Sequence, residues 1–254
     1  MNELRAARRK GRPALGIFVA LPSAAEIELL GGLARLGLTF ILIDAQHQAF
    51  NPETLAGMLR AAGAARLSAL VRVGRRDLQL AELVLDLGAA GVVFPNVGSA
   101  DEARELVSVC RYPPRGRRSI GGLASLLGRD AEDDGDPFCI VQIEDMRAVE
   151  LLDEISVEGI DGIMSGPVDL AASMGLGASY ATFQSVANDV GRVVAEIERG
   201  AASHGIARVR HCETAAAARD ALDDGCELVT LSSDASLLLG AAARLLEELA
   251  AAAR

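Results

Sequence analysis

The stretch TFILIDAQH, residues 39–47, opens with five residues that are apolar or β-branched up to Ile43 and then delivers Asp44, Gln46 and His47 in quick succession. Alternation of apolar and polar residues would mark a strand with one wet face; an unbroken apolar run marks one buried on both faces, as in a parallel sheet covered by helices. The same grammar repeats in both directions. LGIFVA (15–20) precedes it, and SALVRV (68–73), GVVFP (91–95), FCIVQIE (138–144), DGIMSG (161–166), GIARVR (205–210) and CELVTLS (226–232) follow. Between them lie helical patterns at 23–35, 52–62, 78–87, 100–110, 146–155, from about 168, 213–223 and 234–252. Eight strand-then-helix units in 254 residues predict an α/β chain folded as a single (β/α)8 TIM barrel over 15–254, behind a charged leader, 1–14. No GxGxxG follows the first strand and no GxxxxGK[ST] occurs, so the nucleotide-binding α/β folds lack their fingerprints.

Composition narrows the chemistry. The net charge is −10 and aromatics are 3%, which argues against a nucleic-acid partner. The four cysteines, Cys110, Cys139, Cys212 and Cys226, form no CxxC pair, so buried reduced thiols are expected. No secretory signal core and no run long enough to span a bilayer is seen, and a cytoplasmic protein without a membrane partner is expected. The segment 112–137, rich in Pro, Gly and acids, reads as a long loop whose acidic run is a solvated turn. Among the 25 basic residues there is one lysine, Lys10, inside the leader. Schiff-base chemistry, which needs an amine at the reacting carbon, is therefore not expected.

In a barrel of this kind the reacting groups lie at the C-terminal ends of strands. Strand two offers Asp44 and His47, strand three Arg72, strand five Gln142 and Glu144, and strand six the SGPVD segment with Gly166, Val168 and Asp169. Glu144 and Asp169 are hard oxygen donors from adjacent strands, suited to Mg²⁺ or Mn²⁺. The plainer alternative has Glu144 capping the next helix and Asp169 complementing a helix dipole. Arg72, a charge within an apolar strand, requires an anionic partner: Asp44, Glu144 or a developing oxyanion. His47 is the candidate base, with His204 and His211 as competitors.

The ordered set LIDxxH (42–47), LVR (70–72), ADEAR (100–104), RYPPxG (111–116), VQIE (141–144), GPxDL (166–170) and SSDASLL (232–238) resembles the HpcH/HpaI family of class II pyruvate aldolases, from about Leu15 to Leu249. The resemblance implies a barrel of the phosphoenolpyruvate/pyruvate-binding type. It implies a metal-dependent aldolase that reversibly cleaves a 4-hydroxy-2-oxo acid into pyruvate and an aldehyde through a metal-stabilised enolate. It also implies a divalent cation (Mg²⁺, Mn²⁺ or Co²⁺) on Glu144 and Asp169, and substrate held by Gln142, Gly166, Val168 and Asp169. Arg72 would stabilise the enolate and His47 would act as base, oriented by Asp86 from a neighbouring subunit or by Asp44. A homo-oligomer, with a hexamer common in the family, goes with it. Gln46 departs from the family's DxEH, and Ser119 follows Arg118 where a glycine is usual. A related lyase acting on a CoA thioester or by decarboxylation, and a non-catalytic 2-oxo-acid binder, are the alternatives.

Overall fold

The structure, a computed structural model, describes residues 3–121, 136–177 and 180–252. It is a closed barrel of eight parallel strands in sequence order: β1 (Ala14–Val19), β2 (Leu38–Asp44), β3 (Ser68–Arg72), β4 (Gly91–Phe94), β5 (Phe138–Ile143), β6 (Gly162–Ser165), β7 (Ala207–Cys212) and β8 (Leu228–Ser233). The helices are α1 (Glu3–Arg9), α2 (Ala24–Gly31), α3 (Pro52–Ala64), α4 (Leu78–Asp86), α5 (Ala100–Cys110), α6 (Met146–Glu150), α7 (Leu152–Ile155), α8 (Pro167–Ser173), α9 (Tyr180–Ser203), α10 (Ala215–Asp223) and α11 (Asp234–Ala252). All eight expected strands form. The single helix expected over 146–155 is two, and α9 is an element the pattern did not single out. The acidic run expected as a solvated turn falls largely in 122–135, outside the described residues.

Helix starts are set locally. Ser23, Asn51, Asp77, Ser99, Asp145 and Thr214 each accept a hydrogen bond from an N–H two or three residues on, satisfying donors that the first turn leaves free. Asp145, not Glu144, caps α6, so the capping alternative for Glu144 does not hold.

Period-two side-chain alternation divides the strands between two cores. Ile17, Val19, Ile41, Ile43, Val71 and Val141 face outward and pack under the helices. Phe18, Phe40, Leu42, Leu70, Val93 and Ile140 face the lumen. Burial on both sides is why these strands read as unbroken apolar runs. In the lumen the Phe40 ring fills the space over Gly16, where a Cβ would sit 2.5 Å from ring carbons.

The bottom of the barrel, at the strand N-termini, is closed by α1. Leu4 and Ala7 join the lumen core, and the Leu4 N–H donates to Ser68 Oγ at 3.1 Å. The leader segment is thus part of the packing, with Lys10 exposed just beyond α1 at this bottom end. The described flanks of the irregular segment also leave from this end, after α5 and before β5. Among the described residues no helix is long and apolar enough to cross a membrane, and the four cysteines are buried and free, as expected.

Candidate active site

Following the lumen alternation two residues beyond the apolar core brings each strand to its upper rim. Leu42 leads to Asp44, Leu70 to Arg72, Ile140 to Gln142 and then Glu144, Met164 to Gly166, and Val209 to His211. Asp44, Gln142 and Glu144 are all less than a tenth exposed. Charges so placed require partners, and the rim supplies them unevenly.

On the β2–β3 side the account closes. Arg72 Nε donates to Asp44 Oδ1 at 2.9 Å, Arg72 Nη1 lies 3.4 Å from Gln142 Oε1, and the guanidinium carbon sits 4.8 Å over the Phe18 ring. Of the partners open to Arg72 from the sequence, Asp44 is the one it takes. Asp44 Oδ1 also accepts from the Gln46 N–H at 3.2 Å. Gln46 Oε1 is buried without a hydrogen-bond partner among the described residues.

On the β5–β6 side like charges meet. The Glu144 carboxyl is pushed up to about 7 by burial first and by Asp169 second, against smaller opposing effects of Arg72, the Asn96 N–H and Arg75. Asp169 stands in the first turn of α8, which begins immediately after Gly166. Gly166 is required here by space: a Cβ would lie 2.5 Å from Glu144 Oε2 and 2.9 Å from Gln142 Nε2. Val168 follows in the same turn, half-buried.

Two anionic groups held this close, one of them buried, are what a divalent cation relieves, and two carboxylates completed by substrate and water suit Mg²⁺-type ions. The residues therefore fit the expected metal. Among the described residues no cluster of three or more His, Cys, Asp or Glu competes with this pair.

Two expected residues make no hydrogen bond to this constellation among the described residues. His47 is exposed in the turn beyond β2. Neither carboxylate proposed to orient it does so among the described residues, because Asp44 is committed to Arg72 and Asp86, at the C-terminal end of α4, accepts from Arg118 Nη2 at 2.9 Å. His211 was read as following strand seven, but β7 continues through it and turns it into the lumen; the signal was the step of two from Val209. Its ring bonds Thr230 Oγ1 and Glu213 Oε1, while Ser232 Oγ donates to Glu213 Oε2. His204 pairs with Asp153 away from the rim.

A family model described as HpcH/HpaI aldolase/citrate lyase matches residues 15–240. The chain belongs to this family. It is 36% identical over 251 residues to a hydroxypyruvate/pyruvate aldolase of Delftia acidovorans, covering 95% of this chain and 90% of that one. It is 36% identical over 182 residues to a 4-hydroxy-2-oxo-heptane-1,7-dioate aldolase of Escherichia coli, covering 68% of each. The crystal structure of the citrate synthase SbnG superposes over the full length of both chains with a TM-score of 0.86 at 28% identity. This HpcH/HpaI protein is an enzyme of the carbon–carbon lyase kind.

Proposed function

We propose that this HpcH/HpaI protein is a divalent-metal-dependent aldolase that reversibly cleaves a 4-hydroxy-2-oxo acid into pyruvate and an aldehyde. The observation that carries the reading is the convergence, at one rim, of the uncompensated pair Glu144 and Asp169 with the fixed cation Arg72. A divalent cation held by Glu144 and Asp169 would supply Lewis-acid polarisation of the 2-oxo group. Gln142, the Gly166 backbone and the turn at Val168 and Asp169 bind the 2-oxo acid half. Gly166 keeps a surface without a side chain beside Glu144 and Gln142.

In cleavage His47 accepts the proton of the 4-hydroxyl. The C3–C4 bond breaks, its electron pair passes into the C2–C3 bond, and the aldehyde leaves. Arg72, held by Asp44 and Phe18, faces the negative charge that builds on the 2-oxo oxygen. Protonation at C3 then yields pyruvate. With Asp86 held by Arg118, a carboxylate orienting His47 from Asp86 would come from a second subunit. No lysine shares the rim, since Lys10 stands at the opposite end, which supports the metal route over an imine.

A homo-oligomer is part of this reading. On α11, Leu237, Leu238, Leu239, Leu245, Leu246 and Leu249 are between 48% and 71% exposed, an apolar surface large for a solitary barrel. The helix that ordinarily seals an eight-fold barrel thus presents its leucines outward, which supports a second copy of this chain as its cover. Leu238→Glu with Leu246→Glu should reduce the particle mass in light scattering to that of one chain.

The deciding experiment is proton exchange at C3 of pyruvate in D₂O. Chelation should abolish it, and Mg²⁺, Mn²⁺ or Co²⁺ should restore it; chelator-resistant exchange would overturn the metal assignment. An aldehyde panel then identifies the acceptor. A related lyase acting on a CoA thioester is the second reading, kept because the chain is similar to a citrate synthase as well as to aldolases, and an acyl-CoA product assay separates the two.

A further inference from the structure

We propose that His211 is a positioning residue for Arg72, acting through the Phe18 ring wedged between them. This rests on the reading of Arg72 above, and it concerns residues of β7, β8 and β1, outside the strands β5 and β6 that lead to the carboxylate pair.

His211 continues the lumen face of Ala207 and Val209 on β7. Its imidazole is gripped at both nitrogens, Nδ1 by Thr230 Oγ1 at 2.9 Å and Nε2 by Glu213 Oε1 at 3.0 Å. Glu213 is itself pinned, because its second oxygen accepts from Ser232 Oγ at 2.7 Å. The hydrogen bonds from His211 and Ser232 hold the Glu213 carboxyl below its ordinary range, so it stays anionic and keeps the Nε2–H turned toward it. A ring bonded at both ends cannot rotate about its own axis without losing both bonds.

That ring meets Phe18 at 5.4 Å between centroids and 67° between planes, an edge-to-face contact. Phe18 carries Arg72 over its ring at 4.8 Å. The guanidinium is therefore restrained in three ways. Asp44 and Gln142 hold its edges, the second at a long 3.4 Å, and the Phe18 ring packs against its face, where it opposes tilting. Out-of-plane tilt turns the N–H donors away from a developing oxyanion. Because β8 closes onto β1, the restraint runs through Thr230 and His211 to Phe18 across neighbouring strands.

The test is a double-mutant cycle read by pyruvate C3 exchange with metal present. His211→Gln keeps an amide to reach Glu213 but removes the ring; it should fold like the wild type and lower kcat about tenfold, with KM for pyruvate within about twofold, as expected of a misaligned group. Phe18→Leu should cost a similar factor. The double variant should be no worse than either alone, since both break one path. Additive losses, or a His211→Gln enzyme with wild-type kcat, would overturn the inference. Arg72→Lys separates the two layers: if it leaves exchange intact, the reading of Arg72 falls and the inference with it, whereas a strong loss in Arg72→Lys with additive His211 and Phe18 effects overturns the inference alone.

Discussion

The two ends of the barrel are built by one alternation rule and treat charge in opposite ways. At the bottom, Arg111 donates to Pro137 O at 2.7 Å, to Gly159 O at 2.8 Å and to Asp161 Oδ2 at 2.8 Å, and Arg8 takes Asp161 Oδ1 at 2.7 Å. Among the described residues each of these charges has an opposite partner, and backbone carbonyls take the remaining guanidinium donors of Arg111. At the rim, Glu144 and Asp169 repel each other with no cation in hydrogen-bond reach of either among the described residues. A closed account stabilises the fold; an open one is a place for a ligand. Conserving stability at one end and reactivity at the other is how this architecture separates its tasks.

That contrast breaks if rim and bottom residues respond alike to substitution. Arg72→Ala should show the largest effect, a loss of about 10²–10³ in kcat for pyruvate exchange, the scale of removing one preorganised donor to an oxyanion. Next comes Gly166→Ala, whose Cβ would press on Glu144 and Gln142 at 2.5–2.9 Å. A loss of about 100-fold in activity is expected, with a melting temperature within a few degrees of wild type, because a displacement of under an ångström suffices to misalign reacting groups. Arg111→Met should do the reverse. Its guanidinium is 7% exposed, and its loss leaves Gly159 and Pro137 carbonyls unpaired, costing about 3 kcal/mol and lowering the melting temperature by about 10 °C. Activity per folded molecule should be unchanged, and a parallel loss of kcat would break the separation.

How much of this was legible beforehand follows from which signals are local. The strands were readable because both faces of each are buried, so TFILID and SALVRV carry no polar interruption until the rim. Asp44, Arg72, Gln142 and Glu144 were readable because a polar residue ending such a run has little other purpose. What the sequence did not show depends on contacts between distant strands. Whether Arg72 would choose Asp44 or Glu144 is decided by the parallel register that sets residue 44 opposite 72. His211 was hidden because the pattern ended β7 at Arg210, two residues early. The role of α1 was hidden because Leu4 and Ala7 sit among arginines, and only the open bottom of the lumen gives them something to bury against.

The rim holds a second pair of acids, and it sharpens the comparison because a proton, not a metal, settles it. Asp234, at the start of α11, accepts from the N–H groups of Ala20 at 2.9 Å, Leu21 at 2.9 Å and Ala235 at 2.6 Å. Glu26 of α2 faces it, and burial first, then the hydrogen bond and charge of Asp234, push the Glu26 carboxyl up to about 7. With Asp234 already accepting from three donors, Glu26 supplies the O–H between the two acids. A folded value raised from an ordinary 4.5 gives stabilisation that is complete below about pH 4.5 and is lost as pH rises through about 7. Glu26→Gln keeps a donor at every pH. Its melting temperature should match wild type near pH 4.5 and exceed it by about 1–2 °C at pH 8, the small size reflecting a half-exposed site screened by solvent. Parallel melting curves from pH 4.5 to 8 would mean that Glu26 and Asp234 do not share a proton. The divalent cation should leave that difference unchanged, since the pair that calls for a metal stands on β5 and β6 and not here.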